Sequence, residues 1–171
     1  MKIPLRPDNI RTLDLSIMTV YEQIMILWFF GIGLFAVLAA LAVIDFRTMI
    51  LPDVLTLPLI SFGLVFAYWQ GVFLSAVTGA VVGYVGLVAL ELAYKKLRGV
   101  DGLGRGDAKL LAAGGAWCGW AGLPFILLIA SAFGLVHALM LSRGGAEANN
   151  KLPFGPHLAV GISLTWVALS F

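Results

Sequence analysis

Cysteine is nearly absent from this chain. Cys118 stands alone among 171 residues, which excludes an internal disulfide and any zinc site built on cysteines. Charge is scarce as well: 12% of residues are charged and 61% are hydrophobic, against about 25% and 45–50% in a soluble domain. So much apolar surface has no aqueous core large enough to hide in. The composition therefore implies an all-α, polytopic integral membrane protein. A cleavable signal peptide is not evident either: the first long apolar run follows a charged segment and lacks a small-x-small cleavage site. It is expected to stay as an anchor.

Residues 1–22 are mixed. Lys2, Arg6 and Arg11 alternate with Asp8, Asp14 and Glu22, while Ile10, Leu13, Ile17 and Tyr21 recur at helical spacing. This pattern suits a short amphipathic helix on a membrane surface, or a frayed terminus. Residues 23–171 form the expected membrane core.

Ile24 to Ile44 is 21 residues without a charge, enough at about 1.5 Å per residue to cross a core of about 30 Å. Further apolar runs predict helices over Val54–Tyr68, Phe73–Tyr94, Ala108–Trp120 and Leu123–Leu141, and a last one opened by Pro153-Phe154-Gly155-Pro156 and ending with Phe171. That makes about six crossings. Ser75, Gly79 and Gly83 recur every four residues, a stripe that lets helices approach closely. Asp53 follows Pro52 and is placed to cap the second helix.

Loop charge sets the orientation. Arg47, then Lys95, Lys96, Arg98 and Arg105, then Arg143 and Lys151 fall in the loops after the first, third and fifth helices. The intervening loops hold no basic residue, so the first set is cytoplasmic. The three basic residues of the N-terminal segment run against this assignment, but the asymmetry of the internal loops is larger.

With six alternating crossings, Asp45 and Asp107 share the cytoplasmic side, each where a helix meets a loop. A carboxylate at a membrane boundary is costly. Two that share a site cannot both ionise cheaply, so one keeps its proton and the other is charged. Such a pair can take a proton from a water and give one to a carbonyl or leaving amine. Gly104 and Gly106 offer unusual backbone conformations and close approach to a substrate chain. A plainer reading stands beside this one: a flexible turn with Asp107 at the N-terminus of a helix, where an acid suits the dipole.

Three motifs bear on the choice. Asp45-Phe46-Arg47-Thr48-Met49-Ile50-Leu51-Pro52-Asp53 and the residues through Leu59 resemble the first signature of the type IV prepilin peptidases. Gly102-Leu103-Gly104-Arg105-Gly106-Asp107-Ala108-Lys109, continuing through Trp117, resembles the second, which contains the GxGD motif. Leu152-Pro153-Phe154-Gly155-Pro156 resembles a third. The resemblance implies a membrane aspartyl endopeptidase that removes the basic leader from a prepilin or pseudopilin at the cytoplasmic face of the bacterial inner membrane. It implies Asp45 and Asp107 as the catalytic pair, and Gly104, Gly106 and Lys109 as the loop residues beside the substrate. Lys109 either biases the charge of Asp107 or snorkels to the interface.

The expected partners are that substrate and the lipid bilayer. No metal, cofactor or nucleic acid is expected. Many members of the family carry a cytoplasmic domain with CxxC pairs and methylate the new pilin N-terminus. This sequence has no CxxC, so it resembles the short, peptidase-only forms. His137 is read as a packing residue, and His157 sits close to the same face. Two rival classes remain: an ion-coupled transporter using the boundary acids, and an inactive scaffold of a pilus or secretion apparatus.

Overall fold

The computed structural model describes residues 7–98, 104–143 and 153–170. Gly102, Leu103, Lys151, Leu152 and Phe171 lie outside the described residues. So do the side chains of Ile10, Leu13 and Ile17, on which the amphipathic face was read. The described residues form five helices: α1 (Pro7–Thr48), α2 (Asp53–Trp69), α3 (Phe73–Arg98), α4 (Arg105–Arg143) and α5 (Gly155–Ser170). Residues 1–34 and 35–171 are two compact units. In the first, Tyr21, Met25, Trp28 and Phe29 are exposed, a face suited to lipid rather than water.

Among the described residues, three helices are long and apolar enough to cross a membrane: Tyr21–Thr48, Phe73–Leu97 and Arg105–Ser142. The 17 residues of α2 and 16 of α5 reach about 26 and 24 Å, below the roughly 30 Å of a typical core. Helix length alone thus picks out three of the expected segments, with the two arms of α4 taken as one. The sequence of apolar segments is nevertheless the expected one, because α4 is two helical arms merged across a kink at Gly119.

That kink replaces the expected turn. Gly119 has φ 70° and ψ 175°, a left-handed backbone that glycine alone adopts freely. The chain changes course there at one residue. Pro124 lies inside the second arm, five residues past the kink, and its ring removes one helical hydrogen bond there. A side chain at Gly119 would also meet Ser75, since a Cβ built there lies 2.6 Å from the Ser75 Oγ.

The stripe on α3 meets a matching stripe on α4. Gly79 faces Gly115, and Gly83 faces Leu111 and Leu123. With the Ser75–Gly119 contact, the pairs run in opposite order along the two helices, so α3 and the first arm of α4 are antiparallel with their backbones in contact. A Cβ at Gly79 would lie 2.5 Å from the Gly115 carbonyl oxygen. Such overpacking against backbone costs about 1–3 kcal/mol. Gly79→Ala is therefore expected to lower the melting temperature by several degrees in detergent micelles; an unchanged melt would show that this contact does not hold the helices.

Trp117 joins three helices. Its Nε1 donates to the Leu59 carbonyl of α2 at 2.9 Å. Its ring stacks on Phe66 at 5.4 Å and meets Trp166 of α5 edge-on at 6.3 Å. Gly63 makes room for this ring, whose Cδ1 lies 2.6 Å from the place of a Cβ. Around the aromatics, Leu59, Leu110, Leu111, Ile126, Leu158 and Ile162 are buried. The result is α4 packed against α2, α3 and α5.

Candidate active site

Asp45 lies in the last turn of α1, the end of a helix dipole that disfavours an acid, and it is only 5% exposed. A buried carboxyl needs a partner. It finds one on another helix: the Gly155 N–H donates to Asp45 Oδ2 at 3.0 Å. Gly155 is the first residue of α5, so its N–H is one of the four that a helix leaves unpaired. Pro156 follows at a position where proline suits a helix start. The carboxyl thus rests on the positive end of α5. Behind Asp45, α1 closes through the Met49 N–H, which donates to the Asp45 carbonyl at 2.8 Å with Met49 at φ 53°.

Asp107 is the third residue of α4 and 9% exposed. Its N–H donates to the Gly104 carbonyl at 3.0 Å. An acid in a first turn complements the helix dipole. Both acids therefore stand at helix N-termini, Asp107 at its own and Asp45 at that of α5. They are close enough for the charge of one to act on the other. His157 also lies within electrostatic reach of Asp45.

The two motif glycines have different surroundings. Neither adopts a left-handed backbone, so conformational freedom is not what they supply. A Cβ at Gly106 would lie 2.9 Å from the Leu51 Cβ; the absent side chain lets the α1–α2 loop close on α4. At Gly104 the nearest atom to such a Cβ is Asp107 Oδ2, at 3.6 Å, and the residue is exposed. Of the two, Gly104 is the one open to an incoming chain.

Asp53 is placed otherwise than the sequence implied. Pro52 is the cap residue of α2 and makes no side-chain cap. Asp53 is one position inside, where it pairs with Lys109 Nζ at 2.6 Å. Lys109 thus reaches across to α2. Asp53 is 55% exposed, so the pair contributes at most about 1 kcal/mol. Asp53→Ala is expected to lower stability by no more than that, and the exchange Asp53→Lys with Lys109→Asp to recover most of it. Thermal melts of the three proteins in micelles check this.

The residues that sequence reasoning left out of the site are Gly155 and His157. The Pro-Phe-Gly-Pro run is visible in the sequence, but no local spacing ties it to Asp45, 110 positions away. His137 is satisfied across helices: its Nδ1 lies 3.1 Å from His157 Nε2. Among the described residues, no group of three or more His, Cys, Asp or Glu could hold a metal ion. Chemically, the site offers two buried carboxyls within electrostatic reach of one another and a backbone N–H that holds one of them.

Residues 32–139 match the model of the type IV leader peptidase family. A prepilin leader peptidase/N-methyltransferase of Burkholderia pseudomallei (strain 1026b) is 47% identical over 137 residues, covering 78% of this chain and 44% of that protein. The protein of the same name from Escherichia coli (strain K12) is 46% identical over 138 residues, 78% of this chain and 61% of that one. That of Dickeya chrysanthemi is 46% identical over 145 residues, 79% and 51%. The chain thus spans about half the length of the curated relatives it matches. No solved structure matches significantly.

Proposed function

This chain belongs to the type IV leader peptidase family, and on that premise we propose that it is a membrane aspartyl endopeptidase. It removes the basic leader from a type IV prepilin or pseudopilin precursor at the cytoplasmic face of the bacterial inner membrane. Asp45 and Asp107 are the catalytic pair. The observation that carries this reading is their placement: two buried acids from distant parts of the chain, each on a helix N-terminus, within electrostatic reach of one another.

The chemistry follows from two carboxyls that share one proton. The charged one takes a proton from a water while that water's oxygen attacks the scissile carbonyl carbon. The protonated one gives its proton to the carbonyl oxygen. In the resulting tetrahedral adduct one hydroxyl returns a proton to the acid that gave one, and the C–N bond breaks as the leaving nitrogen receives the proton the other acid took from the water. Gly104 leaves room for the substrate backbone beside Asp107, and Gly106 and Lys109 hold the loop and the first turn of α4 in place. The apolar helix that follows the leader lies in the membrane alongside the enzyme and brings the cleavage point to the level of the acids. The reading rests on the two carboxyls alone; the methyltransferase half of the relatives' name is outside it.

Co-expression with a prepilin carrying a basic leader tests the proposal. A shift of the prepilin to its mature mobility on a gel is the expected result. A well-folded protein that leaves every tested precursor intact would overturn it, and an ion-flux assay would follow.

A further inference from the structure

The pair His137 and His157 takes no part in that reaction, yet it stands beside one of the reacting acids. His157 is the third residue of α5, two after the glycine that holds Asp45. Its Nδ1 lies 3.0 Å from the Pro153 carbonyl oxygen. A carbonyl only accepts, so Nδ1 carries the hydrogen. In the neutral ring Nε2 is then an acceptor, and the His137 Nδ1 at 3.1 Å is its donor. Both nitrogens of His157 are engaged, so the ring cannot turn without losing both bonds. It is buried, and Phe154 lies along its other side with ring centroids 6.4 Å apart.

These bonds fix a turn that has few others among the described residues. Pro153 and Pro156 have no N–H to give. The backbone of the turn is closed by the His157 and Leu158 N–H groups, both donating to the Phe154 carbonyl at 3.1 Å. The His157 side chain adds a bond to the residue before that carbonyl. Through His137 it also ties the turn to the second arm of α4. The N–H aimed by this turn is that of Gly155.

The geometry points to His157, held by His137, as a positioning residue for Asp45: the chain from His137 through His157 to Pro153 keeps the Gly155 N–H on the Asp45 carboxyl. For its effect on turnover this inference rests on the peptidase reading; for its effect on Asp45 it does not.

The test uses the full chain in detergent micelles, with His157→Phe, His157→Asn and His137→Leu. Phenylalanine keeps the ring and loses both nitrogens. Asparagine keeps a donor near the place of Nδ1. A melt of each variant confirms folding. Cleavage of a prepilin is expected to lose about tenfold in kcat, with KM little changed, in His157→Phe and His137→Leu; this is the scale of one hydrogen bond to a charged group. His157→Asn is expected to recover most of it. In parallel, dicyclohexylcarbodiimide labelling of Asp45 at one fixed pH is read by mass spectrometry. Its rate is expected to rise about threefold or more in His157→Phe, because a carboxyl freed from its donor holds its proton more often and reacts.

Equal labelling in all variants overturns the inference, as does an asparagine variant no better than the phenylalanine one. If the unaltered protein cleaves no precursor, the peptidase reading falls, and the labelling alone decides the role of His157.

Discussion

Asp45→Asn and Asp107→Asn are each expected to abolish detectable prepilin processing, with losses on the order of a thousandfold or more. Acid–base groups contribute about 10²–10⁴-fold, and neither amide can take or release a proton at working pH. The changes are isosteric, so the site keeps its shape. In Asp45→Asn the amide would still offer an oxygen to the Gly155 N–H, which donates to the carboxyl at 3.0 Å. In Asp107→Asn only the attraction of a charge to its helix N-terminus is lost, about 0.3–1 kcal/mol. Folding measured by size exclusion and melting should therefore survive while cleavage does not. Asp53→Asn is the internal control: Asp53 is half-exposed and faces Lys109, so processing should persist within a few fold. If Asp45→Asn cleaves and Asp53→Asn does not, the pair is assigned to the wrong acid. A transporter would instead lose ion flux in the first two variants, and a scaffold would lose neither activity.

The second large effect comes from adding one methyl group. A Cβ at Gly155 would lie 2.6 Å from Asp45 Oδ2 and 2.8 Å from its Cγ. Asp45 is buried, so it has nowhere to withdraw. Either the carboxyl moves by about an ångström or the first turn of α5 does, and a misplacement of that size costs about a hundredfold in rate. Gly155→Ala is expected to reduce cleavage by about that factor, with a stability loss of about 1–3 kcal/mol from overpacking. Gly86→Ala is the matched control. It lies in α3 with nothing within 4 Å of its Cβ position, so cleavage should be unchanged and the helix slightly favoured. Equal activity in the two alanine variants would show that the contact between Gly155 and Asp45 does not set the reaction geometry.

Much of the fold was legible because membrane helices announce themselves locally. Apolar runs, their Pro and Gly boundaries and the acids beside them are properties of adjacent residues. The stripe Ser75, Gly79, Gly83 was legible for the same reason, and it does pack against a neighbour. The form of the break in α4 was not. A loop after Trp120 and a left-handed Gly119 serve the same change of course, and Ser75 lies against Gly119 only because α3 is its neighbour. The roles of Gly104 and Gly106 were half legible. A glycine in sequence signals either freedom of φ or lack of bulk, and here lack of bulk decides at Gly106, against Leu51.

The sequence by itself determined that this is a helical membrane protein of the leader peptidase kind, with acids at two helix boundaries and small residues where helices touch. Tertiary structure alone decided what meets what. It set the Asp45 carboxyl on the first N–H of α5, placed Leu51 over Gly106, turned Lys109 to Asp53 and paired His137 with His157. The physical reason is range. Helical hydrogen bonds and apolar periodicity act within about four residues and are written in the order of the chain. The neighbours of a helix are chosen by close packing between surfaces far apart in sequence, and no local pattern states which surface will fit.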